Sequence, residues 1–353
     1  MRLGEAFDPR RNALNFWRLL LAAEVILWHS FLSTGRTAMV PHEAMQLTWS
    51  VGVDAFFAIS GFLITRSWVE RPRPREYLTA RGLRILPGLW MCLIVTAFVI
   101  APLGVAIQGG SVKNLLWSTG PITYVLGNSL VFYVLQGING TPAGVPFAGS
   151  WNSSLWSLGF ELLCYLAVLI LGLMGMVKYR WVSVTMLVLA TLIAVLQGPL
   201  VYPGVWSIGQ LAARCALMFA AGAVLYQWRD RVPANWWLVA LCAAIVIAAG
   251  VLLPDYRVAA GLALAYAVVV SGALVHGPSL RNDFSYGMYI YAFPVQQILV
   301  MSGLVSLTPM LFFGISTIST LPFAAASWFL VESRAMRLKR RIRGDGPLPV
   351  VST

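Results

Sequence analysis

Charged side chains are scarce: Asp, Glu, Lys and Arg make up 11% of the 353 residues, against roughly 25% in an ordinary soluble domain. So little charge excludes a soluble enzyme, and a disordered tail would need much more of it. Acidic residues are the scarcer sign, 13 against 25 basic, and histidine occurs only 3 times. The 4 cysteines, Cys92, Cys164, Cys215 and Cys242, each lie inside an apolar run. No two have the close spacing of a zinc or redox motif, and a disulfide-stapled secreted module is excluded.

What the chain has in plenty is apolar side chains, 59% of the total. At about 20 residues per membrane-spanning helix, that supplies about ten spans. The long apolar runs place them at 13–33, 49–68, 85–107, 152–177 and 181–196, then at 208–228, 236–253, 257–275, 284–304 and 310–331. Runs of this length exclude a β-barrel, whose strands are short and alternate. Residues 1–353 therefore read as one all-α domain, a polytopic transmembrane bundle ending in a short basic tail, 332–353.

The net charge of +12 has a topological explanation. Basic residues gather at the N-terminus (Arg2, Arg10, Arg11), after the second span (Arg66, Arg71, Arg73, Arg75, Arg81, Arg84) and in later even-numbered connections (Lys178, Arg180, Arg229, Arg231, Arg281). The tail adds Arg334, Arg337, Lys339, Arg340, Arg341 and Arg343. The opposite side holds Arg36, Lys113 and Arg257. The positive-inside rule then puts both termini in the cytoplasm, and no nucleic-acid partner is needed. The expected location is a multi-pass position in a cell membrane, a bacterial inner or plasma membrane. The first span carries Arg18, Glu24 and His29, which a cleaved signal peptide would not need, and is read as retained. The long connection 108–151 contains ITYVLGNSLVFYVL, too short to span comfortably and expected as an interfacial or re-entrant helix.

Ionisable groups inside a bilayer are costly and usually face a cavity or a partner. Six lie within the expected spans away from their ends: Arg18, Glu24, His29, Asp54, Glu161 and Arg214. Arg18 and His29, at i and i+11, share one helix face about 16 Å apart along the axis. Glu24 points away and is expected to meet another helix. Asp54 reaches the depth of His29 if the first two helices pack as a hairpin. It then either orients the imidazole or forms a buried ion pair that fixes helix register. Glu161 either completes a polar cavity or binds a neighbouring hydroxyl or backbone group. Arg81 and Arg84, at i and i+3, suit a phosphate clamp or anionic lipid. His42 and His276 form no cluster with His29, so no metal site is expected.

These residues fall into an ordered set: RLLLAAEVILWH, GVDAFFAISGFLI, RGLRILPGLW, WSLGFELLCYL, SYGMYIYAFPV and FLVE. In this order the chain resembles the integral-membrane acyltransferase 3 family, from about residue 15 to 332. The resemblance implies transfer of an acyl group, commonly acetyl, from cytoplasmic acyl-coenzyme A to a hydroxyl of a carbohydrate or related acceptor. It matches Arg18 and His29 to the family's Arg-x10-His motif, Asp54 to its second-helix acid, and Arg81, Arg84 and Glu161 to other recurrent positions. Two departures stand out. Ala292 occupies a position where many members have His, and VESRAMR lacks the proline that often follows the last glutamate.

Joined to the helix geometry, the resemblance gives a working assignment. His29, Asp54 and Glu161 are expected at the catalytic centre, and Arg18, Arg81 and Arg84 on acetyl-CoA or another acyl-CoA. The imidazole would act as general base on the acceptor, or carry the acyl group itself. Membrane lipid, donor and acceptor are the expected partners, and the oligomeric state is left open. A proton-coupled transporter would use the same charges and is the competing class, with a catalytically inert scaffold behind it.

Overall fold

The structure is a computed structural model, and it describes residues 1–132, 134–276 and 282–342, with side chains through 338. Arg281 and Arg343, and the side chains of Lys339, Arg340 and Arg341, lie outside the described residues. Ten long helices follow the apolar runs. They are α1 (Leu14–Ser33), α2 (His42–Glu70), α3 (Pro74–Ile107), α4 (Ser153–Leu173), α5 (Arg180–Gln197), α6 (Ile208–Gln227), α7 (Trp236–Leu252), α8 (Tyr256–Leu274), α9 (Ser285–Met301) and α10 (Pro309–Leu338). Eight are long and apolar enough to cross a membrane; α7 and α9 have 17 residues each. No strand occurs among the described residues. The all-α bundle is thus as expected, but α2 and α3 begin at His42 and Pro74, and a helix continues past α10 to Ile342.

Local chemistry sets many of the ends. Ser207 and Gln210 form a capping box at the start of α6, and Asn235, Asp255 and Thr308 cap α7, α8 and α10. After α4, Gly175 at φ +69° takes the left-handed conformation that turns the chain toward α5. The connection from α3 to α4 contains a 9-residue helix, Gly120–Asn128, too short to cross a bilayer.

α9 is the most enclosed helix and lies against α1, α3 and α10. Because protein surrounds it, polar side chains are tolerated along it. Pro294 has no N–H, so the carbonyl of Ile290, one turn back, loses its helical partner. Asn152 Nδ2 at 2.7 Å and Cys92 Sγ at 3.2 Å donate to it instead. Further along, Gln296 donates to Ile26 O at 3.1 Å and Ser30 Oγ at 2.9 Å on α1. Gln297 donates to Phe147 O and Ser150 O, both at 2.8 Å, and so ties the long connection to the core.

α2 and α6 approach most closely. A Cβ on Gly222 would lie 1.9 Å from Ala58 O, and one on Gly61 would lie 1.9 Å from Phe219 O. Glycine permits this backbone contact, as small residues commonly do between membrane helices. Gly222→Ala should therefore destabilise by about 1–3 kcal/mol or more. The control is Gly314→Ala on α10, where a Cβ meets nothing within 4 Å. Thermal unfolding of the two purified variants checks this: a lowered midpoint is expected for Gly222→Ala alone.

One end of the bundle collects the basic connections. Leu3 N donates to Val232 O at 2.8 Å and Gly4 N to Arg229 O at 3.0 Å, which docks the N-terminus under the α6–α7 connection. His276 Nε2 lies 3.1 Å from Ala6 O. The beginning of α3 and the last helical turns reach the same end. It is called the basic end below.

Candidate active site

α1 carries the two residues with the longest reach through the bundle. Toward the basic end, Arg18 Nη1 donates to Asp283 Oδ2 at 2.8 Å. Arg84, from α3, donates to the same oxygen at 2.5 Å and lies 3.7 Å from Glu332 Oε2. Asp283 Oδ1 accepts from Ser285 N at 3.2 Å and from its hydroxyl, which anchors the carboxylate at the start of α9. Burial alone would push the Asp283 carboxyl up, but Arg18 and Arg84 hold it well below the usual carboxylate range. Glu332 is delivered by a π-helical turn over Trp328–Glu332, which rotates it inward, where Ser327 Oγ donates to it at 2.8 Å.

A cavity opens beside this cluster. Arg18, Ser285 and Tyr286 line it together with Ser60, Ser157, Glu161 and Tyr289, and Phe56, Phe57, Val53 and Leu158 supply apolar wall. Glu161 accepts from Ser60 Oγ at 3.0 Å and from the Tyr165 hydroxyl. Tyr289 donates to Ser154 O at 2.9 Å, so the 2.7 Å contact with Ser157 has the serine hydroxyl donating. The chamber thus pairs hydroxyl groups and one carboxylate with a basic mouth. Arg81 stays outside it: Nη2 donates to Ser67 Oγ at 3.3 Å, and its guanidinium lies over the rings of Tyr77 and Tyr165. The guanidinium groups of Arg81 and Arg84 therefore diverge, the first toward Ser67 and the tyrosine rings and the second toward Asp283.

His29 lies beyond this chamber. Its ring packs edge-on against Phe293 at 4.9 Å, and Nδ1 is buried with no hydrogen-bond partner among the described residues. Phe293 is one turn along α9 from Tyr289, which itself packs on Phe56 at 5.9 Å. These aromatic rings separate the cavity at Arg18 from the imidazole.

Asp54 stands apart from His29, and the pairing envisaged from helix depth is corrected. Its Oδ1 accepts from Arg214 Nε at 2.6 Å; its Oδ2 accepts from Arg257 Nε at 2.7 Å and the Tyr256 hydroxyl at 2.5 Å. Both guanidinium groups lie over the Trp49 ring, at 4.7 and 5.2 Å. Of the two readings, the buried ion pair is the one observed. Matching depth along two helices says nothing about azimuth, and this face of α2 turns to α6 and α8 while His29 turns to α9. Glu24 reaches α2 as expected, with Oε2 filling the space a side chain at Gly52 would need.

Asp283 and Glu332 are the residues sequence reasoning missed. Glu332 had a signal, since FLVE closes the motif set. Asp283 looks like an ordinary helix-capping residue, and only tertiary structure reveals that it meets two arginines. Among the described residues there is no group of three or more His, Cys, Asp or Glu side chains that could hold a metal ion.

An apolar ten-helix bundle with a basic-mouthed polar chamber and a buried imidazole on one motif-bearing helix fits a membrane-embedded group-transfer enzyme. The family model described as an acyltransferase domain matches residues 11–329, and the chain belongs to that family, acyltransferase 3. It is an acyltransferase and a multi-pass membrane protein. It is 26% identical to nodulation protein 10 of Rhizobium leguminosarum bv. viciae, over 95% of this chain and 96% of that one. It is 25% identical to an O-acetyl transferase of Shigella phage Sf6, over 92% and 96%. No solved structure matches the chain.

Proposed function

We propose that the protein moves an acyl group, acetyl in the first instance, from acyl-coenzyme A to a hydroxyl of a carbohydrate or cell-envelope glycan. It would do so in a cell membrane with the basic end in the cytoplasm. The observation that carries this reading is the layout of α1. Arg18 stands at the basic mouth of a chamber, and His29 further along offers a buried nitrogen with no partner among the described residues. The name of the phage relative, an O-acetyl transferase, supports an oxygen acceptor and an acetyl donor.

In this reading Arg18 and Arg84 meet phosphates of the donor, which arginine suits through its forked donors. The slender pantetheine arm runs through the chamber along Ser60, Ser157 and Glu161 and passes the rings of Tyr289 and Phe293 to bring the thioester to His29. His29 takes the proton from the acceptor hydroxyl as the oxygen bonds to the thioester carbonyl carbon. The carbon–sulfur bond then breaks, and the leaving thiolate is protonated by the imidazolium. Asp54 has no direct part. Glu161 and Tyr165 shape the chamber, and Arg81 braces α3 against α4.

The test is release of free thiol from acetyl-coenzyme A by the purified full chain, with candidate glycans added. Acceptor-dependent release with one acetyl ester formed per thiol is expected. Substrate flux across proteoliposomes without thioester consumption would replace this reading with transport.

A further inference from the structure

We infer that Asp283 is a specificity-determining residue of the donor site. Its carboxylate occupies Arg18 and Arg84 until a polyanionic donor head displaces it, and so denies the site to small free anions. The inference rests on the reading that these two arginines receive donor phosphates.

Three observations carry it. First, two cations, Arg18 in the chamber lining and Arg84 over the lining residue Tyr286, converge on a single oxygen, Asp283 Oδ2. Each arginine offers that oxygen one N–H, with neither making the forked two-bond contact that guanidinium forms with phosphate. A phosphate group has more acceptor oxygens and can serve both arginines better than one carboxylate oxygen can.

Second, this cluster can exchange partners. The side chains of Arg18, Arg84 and Asp283 are 23%, 16% and 12% exposed, whereas Arg214, Arg257 and Asp54 are each 1% exposed. Water that reaches the mouth can cover a released carboxylate. A pair sealed in the bundle has no such relief.

Third, Asp283 is anchored independently of the arginines. Ser285 N and Oγ hold Oδ1, so releasing the arginines need not release the chain. Ser285 itself lines the chamber beside Arg18. A ligand filling the chamber therefore arrives next to the contact it has to displace.

Displacing Asp283 costs the same for every anion, but not every anion recovers that cost. A free inorganic anion has only its own charge to offset it. A donor whose arm already lies in the chamber presents its phosphates at high effective concentration. Specificity then arises as a difference of affinities, with Asp283 as the repulsive element.

The experiment measures binding of coenzyme A to the full chain in detergent, with and without millimolar inorganic phosphate. Wild type is compared with Asp283→Asn and Asp283→Ser, each of which retains an oxygen to cap α9. In wild type, coenzyme A binding should be nearly indifferent to phosphate. In both variants it should tighten, by about tenfold if one charge-assisted contact is freed, and phosphate should now displace it. Unchanged or weaker binding in the variants, or phosphate insensitivity in them, would overturn the inference while leaving the donor reading intact. Strong competition by phosphate in wild type would overturn it even if neither variant folded. Absence of coenzyme A binding in folded wild type would remove the donor reading itself, a separate outcome.

Discussion

Asp54→Ala is expected to lower stability by about 3–5 kcal/mol, because it leaves two guanidinium groups buried without their shared counter-charge. Arg214 and Arg257 would keep few compensations. Arg214 retains Ser50 O at 3.1 Å, Arg257 retains Asp255 at 2.8 Å, and both retain the face of Trp49. The desolvation of the cations exceeds what those contacts return. The readout is the thermal midpoint of the purified protein, with elution profile as a check on aggregation. A stronger test is rescue: Asp54→Asn combined with Arg214→Met and Arg257→Met removes all three charges and should recover most of the loss. If Asp54 instead served the chemistry, Asp54→Asn would fold at the wild-type midpoint and lose turnover.

His29→Ala is expected to give the reverse pattern, a folded protein with turnover reduced by about 10²- to 10⁴-fold, the usual contribution of a positioned general base. Among the described residues the imidazole makes one ring contact, with Phe293, and its Nδ1 has no hydrogen-bond partner to strand. Truncation therefore costs packing of a buried ring but strands no hydrogen bond or counter-charge. Donor binding should be preserved, since Arg18 and Arg84 lie at the other side of the aromatic rings. Turnover and coenzyme A affinity measured on the same preparation check both halves. Wild-type turnover in the variant would remove His29 from the reaction.

The helices were legible because each apolar run is longer than a soluble protein would tolerate. Their starts were less so. α2 begins in HEAMQ and α3 in PREYLTA, polar turns that extend a span without adding hydropathy. The candidate site was legible in its cations. Arg18 and Arg84 were singled out as charges near or within apolar helices, and the structure brings them together. Their acidic partner was not, because Asp283 lies in a connection and its pairing joins positions 18, 84 and 283 through space alone. The partners of Asp54 were not legible for a related reason: counting residues gives height in a bundle, whereas neighbours depend on rotation about each axis. Charge balance could have warned of this, since Arg214 and Arg257 also needed an acid.

The proline of α9 has a consequence for motion. With Ile290 O held by Asn152 and Cys92, and Gln296 and Gln297 holding α1 and the long connection, α9 cannot slide a turn without stranding several buried partners. It behaves as a fixed rail. Access from the cavity to the imidazole then depends on side-chain rotation at Phe56, Tyr289 and Phe293, which is far faster than helix displacement. A doorway of that kind would select by width, favouring a thin unbranched chain over a bulky one.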